Sequence, residues 1–63
     1  WEFRDVRLRI LATLRRLDKA QPATLARVLG ISRQLVSYHL AYLEKAGRVR
    51  RDGSLFRLVG GSR

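Results

Sequence analysis

Between Leu29 and Arg33 the chain has only Gly30, Ile31 and Ser32 in which to end one helix and start another. Glycine takes the left-handed conformation that closes a helix. Serine at an N-cap accepts a hydrogen bond from a free backbone N–H of the following turn. Ile31 before the cap and Val36 after it are spaced as a hydrophobic staple, which sets the angle at which the chain enters the new helix. Two helices joined by so short a turn form a helix-turn-helix pattern. Ala26 marks where they cross closely, and a larger side chain there would push them apart.

The flanking sequence supplies the rest of the pair. Pro22 cannot continue an earlier helix but suits the first turn of the next, so the first of the two helices is expected at about 23–29, with Leu25, Ala26 and Leu29 inward. The second is expected at about 33–46, stopped by Gly47 as its C-cap. Val36, Leu40 and Leu43 recur at i, i+4 and i+7 and form its buried seam, with Leu35 and His39 flanking.

Before the pair, Phe3, Val6, Ile10, Leu14 and Leu17 repeat at three- and four-residue spacing, the mark of an amphipathic helix over about 3–17. Leu8 and Ala12 fall off that stripe, beside Trp1. They either face a partner or pack under the C-terminal strands. After the pair, Asp52-Gly53 separates two short apolar-containing runs, a hairpin signal that predicts a type I′ turn. Val49, Phe56 and Leu58 would face the helices, while Arg50, Arg51 and Arg57 would point outward at the tip. The expected fold is mainly α with a small β-hairpin: three helices and a C-terminal two-stranded wing at about 48–59, then a flexible tail at 60–63.

A chain of 63 residues forms one domain at most, burying about 60% of the surface it exposes when unfolded. It begins with Trp1 and contains no Met, so it is expected to be a domain cut from something longer. The absence of cysteine excludes disulfides and thiolate metal sites, which suits a reducing cytoplasm. His39 is the single histidine, with no ligand cluster beside it, and is expected to pack rather than bind metal. Glu2, Asp5, Asp18, Glu44 and Asp52 are scattered, and no phosphate-binding glycine loop or nucleophile set is present, so neither catalysis nor a cofactor is expected. No apolar run is long enough for a bilayer, and no signal-peptide pattern opens the chain.

The net charge of +9, with 14 Lys and Arg against 5 Asp and Glu, favours a polyanionic partner. Twelve of the basic residues are arginine, whose planar fork suits phosphate and guanine. The same usage would follow from a GC-rich genome.

The stretch LARVLGISRQLVSYHLAYLEKAGRVRRDGSLFRL resembles the winged helix-turn-helix of ArsR- and MarR-type transcription regulators. The matching residues are Leu25, Ala26, Leu29, Gly30, Ser32, Val36, Ser37, His39, Leu40, Leu43, Glu44, Ala46, Gly47 and Val49, then the Arg51 to Gly53 turn and Arg57-Leu58. The resemblance implies that the third helix lies in the major groove and the wing reaches backbone or minor groove nearby. A helix about 20 Å long fits a groove about 12 Å wide. Off the buried seam it presents Arg33, Gln34, Ser37, Tyr38 and Ala41, which supply donors, acceptors and a methyl surface for base edges. Ser32, Tyr42, Lys45, Arg48, Arg50, Arg51, Arg57 and Arg27 are the expected backbone contacts.

The expected role is sequence-specific double-stranded DNA binding in a cytoplasmic, nucleoid-associated regulator, such as a repressor. Pairing of two copies through Trp1, Leu8 and Ala12, or through regions outside this segment, would match a two-fold operator. The competing expectations are a winged helix used for protein assembly and a module that anchors a larger nucleic-acid enzyme to DNA. A membrane-surface role for the basic first helix is a weaker third.

Overall fold

The computed structural model describes residues 3–59, so the expectations placed on Trp1 and on the tail at 60–63 lie outside the described residues. α1 spans Phe3–Leu17, α2 Pro22–Leu29 and α3 Arg33–Lys45. Three strands complete the fold: β1 at Lys19–Ala20, β2 at Val49–Asp52 and β3 at Leu55–Leu58.

α1 is the main wall. Val6, Ile10 and Leu14 are fully buried at four-residue spacing, while Asp5 in its first turn and Arg15 and Arg16 in its last suit the helix dipole. Leu17, at the end of the expected stripe, is exposed. The core closes with Leu25 and Ala26 from α2, Val36, Leu40 and Leu43 from α3, and Ala20, Val49 and Phe56 from the strands. Leu29 is only half-buried and packs against that cluster with Ile31. No helix among the described residues is long and apolar enough to cross a membrane.

The wing differs from expectation in two ways. The sheet has three strands, in the order β1-β3-β2, because Lys19 and Ala20 pair antiparallel with Arg57 and Phe56. Asp18 makes this possible by turning the chain out of α1 with φ +75°, a left-handed conformation that Asp tolerates better than most residues. The hairpin turn is also shifted. Asp52 pairs with Leu55, so the two loop residues are Gly53 and Ser54, and only Gly53 has positive φ, +68°. That is the φ pattern of a type II′ turn, which needs glycine at its first central position, and not of the expected type I′ turn. Asp52 stays in the strand and forms an ion pair with Arg57, Oδ2 to Nη1 at 3.7 Å.

Candidate nucleic-acid interface

The short connection that dominates the sequence behaves as its chemistry dictates. Gly30 takes φ +71° and ψ +30°. Its N–H and that of Ile31 both donate to the Ala26 carbonyl, at 2.8 and 3.2 Å. Ser32 follows at once in an extended conformation, and its Oγ accepts from the Leu35 N–H at 3.0 Å. At the far end of α3, Gly47 N–H donates to the Glu44 carbonyl and Arg48 N–H to the Leu43 carbonyl. These two bonds form a Schellman motif, with Gly47 as the left-handed residue just past the C-cap Ala46. α3 is therefore pinned at both ends.

Its faces follow from the 3.6-residue period. Val36, His39, Leu40 and Leu43 point into the core. Opposite them lie Gln34, Tyr38, Ala41 and Lys45, all exposed. Arg33 and Ser37 form the flank toward the wing, and Tyr42 forms the flank toward α1. All five expected base-contact residues, Arg33, Gln34, Ser37, Tyr38 and Ala41, are thus exposed on one side of one helix. Tyr38 is 56% exposed, a large fraction for an aromatic ring.

Arg33, Ser37 and Ala41 border a trough made of two adjoining pockets of about 210 and 290 Å³, which share Pro22, Ser37 and Ser54. The far wall of the trough is the wing tip and the start of α2. Gln21 Nε2 donates to Ser54 Oγ at 3.5 Å and ties the two together. Arg51 lies over Phe56, with Cζ 5.2 Å from the ring centroid, and lines the trough next to Ser37 and Ala41. The trough therefore joins hydroxyl and guanidinium donors to an apolar floor of Leu40 and Phe56.

The expected backbone contacts do not form one set. Strand alternation sends Val49, Arg51, Phe56 and Leu58 to the helix side of the sheet, and Arg50, Asp52, Leu55 and Arg57 to the outer side. Arg51 alone of the three tip arginines stands beside α3. Arg48 lines a groove of about 390 Å³ against α1, with Leu8, Leu11, Ala12, Arg15, Leu58 and Val59. Leu8 therefore lies alongside the end of the sheet and not under it, and it is 56% exposed. Ser32, Lys45 and Arg27 are exposed, with the Ser32 hydroxyl already engaged in its cap.

Tyr42 carries a residue that sequence reasoning missed. Arg7 of α1 places its guanidinium 4.3 Å from the Tyr42 ring centroid, a cation–π stack that delivers a charge from α1 to the edge of α3. Gln21 and Ser54 were also missed. No motif marks them, and only the folded sheet brings them to the trough.

His39 is a correction. It does not flank the seam but is part of it, with no exposed surface, and Tyr38 meets its ring edge-on at 5.1 Å. Burial, and after it the positive charge of Arg7, hold its pKa below the ordinary 6.5. The folded state therefore prefers the neutral ring. The resulting stability is complete above the unfolded-state value and is lost as pH falls through that value toward the folded one. Unfolding free energies from urea denaturation at pH 7.5 and 5.5 are expected to drop toward acid by no more than about 1.4 kcal/mol per pH unit from this one group. His39→Leu is expected to flatten that slope. An unchanged slope in the variant would show that other groups carry the dependence.

A MarR-family model matches residues 3–54. The chain belongs to the MarR family. The three helices and antiparallel sheet of this MarR-family domain form a winged helix-turn-helix, as the resemblance implied. A Zα domain, ORF112-Zα of cyprinid herpesvirus 3, has a similar structure, solved in a study of its binding to Z-DNA. The two share a TM-score of 0.83 and 32% identity, over 87% of this chain and 93% of that one. No curated protein matches the chain.

Proposed function

We propose that this MarR-family domain binds double-stranded DNA through the outward side of α3, as the DNA-binding module of a transcription regulator. The observation that carries the reading is the composition of that side. Arg33, Gln34, Ser37, Tyr38 and Ala41 are exposed together on a helix pinned at both ends. An ordinary solvated face would be expected to carry Glu and Lys pairs. Set in the major groove, Arg33 forks onto guanine, Gln34 onto adenine, and Ala41 meets a thymine methyl. Arg7, Arg27, Lys45 and Arg51 neutralise phosphates alongside, and Tyr42 and the Ser32 turn approach the same backbone. Arg48, Arg50 and Arg57 have no part in this face. A cytoplasmic, nucleoid-associated location and a repressor role accompany this reading, and no catalytic step does. Pairing of two copies across Leu8 and Ala12 would supply a two-fold operator, and sedimentation with and without operator DNA tests it.

Selection from random duplexes identifies the preferred site, and substitutions then test the roles. Arg33→Ala and Gln34→Ala are each expected to relax discrimination between preferred and altered sites by about 1–3 kcal/mol, whereas Arg51→Ala weakens all sequences alike. Identical behaviour of the three variants on preferred and random DNA would rule out sequence readout by α3. Binding to a protein partner with no DNA shift at low salt would instead favour the assembly role.

One observation favours a second reading, in which the duplex is left-handed. The Zα neighbour was solved for its binding to Z-DNA. Here the two-residue wing loop leaves the Arg33, Ser37 and Ala41 row bordered by an open trough. Circular dichroism of an alternating CG duplex decides between the forms. Inversion of the long-wavelength bands on adding protein selects the left-handed form, and an unchanged B-form spectrum with binding intact selects the right-handed one.

A further inference from the structure

The outer side of the sheet carries a row of cations that the α3 interface does not use. Lys19 of β1 pairs with Arg57 of β3, and Arg57 pairs on its other side with Arg50 of β2. Their neighbours Ala20, Phe56 and Val49 are buried, so the alternation of side chains sends all three cations to the outer side. Like charges directly opposite one another destabilise a sheet. The ion pair from Arg57 to Asp52 is long and solvent-exposed, 3.7 Å with the side chains 43% and 56% exposed, so it offsets little of that repulsion. A face needed only for solubility would interleave its signs. This one concentrates positive charge on the central strand and on both strands beside it.

The spacing fits a particular polyanion. Neighbouring strands lie about 4.8 Å apart, so the row is about 10 Å long. One strand of B-form DNA presents a phosphate every ~3.4 Å along its axis and at a wider spacing along the winding strand itself, so the three cations span about two to three phosphates. This row and the outward side of α3 both point away from the core and lie on different elements. We propose that the row of Lys19, Arg50 and Arg57 is a second phosphate-backbone site, which holds another DNA duplex while α3 engages the first. The proposal rests on DNA binding by α3 and makes each domain a bridge between two DNA segments.

A bead-immobilised duplex and a labelled free duplex test it, together with anisotropy measurements on a single duplex. The wild-type domain is expected to draw the labelled duplex onto the beads. The variant Lys19→Gln/Arg50→Gln/Arg57→Gln is expected to capture at least tenfold less. A control with equal charge loss on α1, Arg4→Gln/Arg15→Gln/Arg16→Gln, should retain more than half. Single-duplex affinity should fall by similar factors in both variants, which separates bridging from general attraction. The row variant should also melt no lower than wild type, because its opposed like charges are gone.

Wild-type binding of a single duplex without capture of a second overturns the proposal. So does equal capture by the two variants, as when two copies bridge through paired α3 faces. A selective loss of single-duplex affinity in the row variant would place Lys19, Arg50 and Arg57 on the first duplex and overturn it equally. Absence of all DNA binding removes both this proposal and the reading on which it rests.

Discussion

Leu40→Ala is expected to lower the stability of the domain by about 2–5 kcal/mol, enough to leave much of it unfolded at 25 °C. The size of the effect follows from two facts. Leu40 is 1% exposed, in the middle of a cluster fed by all three helices and the sheet, so truncation leaves a cavity that several rigid elements cannot jointly close. The total from which the loss is taken is also small, about 3–9 kcal/mol for 63 residues at the usual stability per residue. Leu8→Ala is the matched comparison, the same chemical change at a position 56% exposed, and is expected to shift stability by about 0.5 kcal/mol or less. Urea denaturation of the two variants measures the contrast. Equal midpoints would mean that the cluster around Leu40 is not the core.

Raising salt from 50 to 200 mM is expected to weaken DNA binding by about 100- to 250-fold. Arg7, Arg27, Lys45 and Arg51 are the cations that α3 and its borders offer to phosphates, and all but the partly covered Arg7 are exposed. Neutralising about four phosphates releases counterions so that log affinity falls with log salt at a slope near −3.5. Titrations at four salt concentrations give the slope directly. A slope near −1 would leave one or two arginines in contact and would contradict a backbone grip of this extent. Arg7→Gln should lower the slope by about one if its stack on Tyr42 presents the charge to phosphate.

What could be read from the chain beforehand was what local chemistry decides. Gly30, Ser32 and Gly47 mark the helix ends because φ preference and capping act within a few residues. The Val36, Leu40 and Leu43 seam follows from helical period alone. The exposure of Arg33, Gln34, Ser37, Tyr38 and Ala41 follows in turn, since they are what remains once the seam is assigned.

Pairings between distant segments were hidden. β1 is two residues long, too short for any alternation to show, and exists because Ala20 sits opposite Phe56 in the closed sheet. The turn was misplaced by one residue, since Asp-Gly is a good loop centre but Gly-Ser is equally good when glycine comes first. That shift decides which side chains face one another, and it sets Arg50 opposite Arg57. Thr13 was hidden for another reason. It is buried, and sorting a helix by polarity places such a residue on its surface. Arg7 could not be paired with Tyr42 from sequence, because nothing in one helix states which residue of another will cross it.

The sheet order β1-β3-β2 bears on how the chain comes into being. β3 is the last of these strands to be synthesised, yet it is the one that touches both others. A nascent chain that has released α1, α2, α3 and β2 still lacks the strand on which both edges are assembled. Phe56, its buried side chain, is missing from the core until then. On the ribosome the three helices can therefore bury most of the core first, while the sheet closes only once residues 55–58 emerge, and a stop codon just ahead of Leu55 would remove the whole sheet together with Phe56.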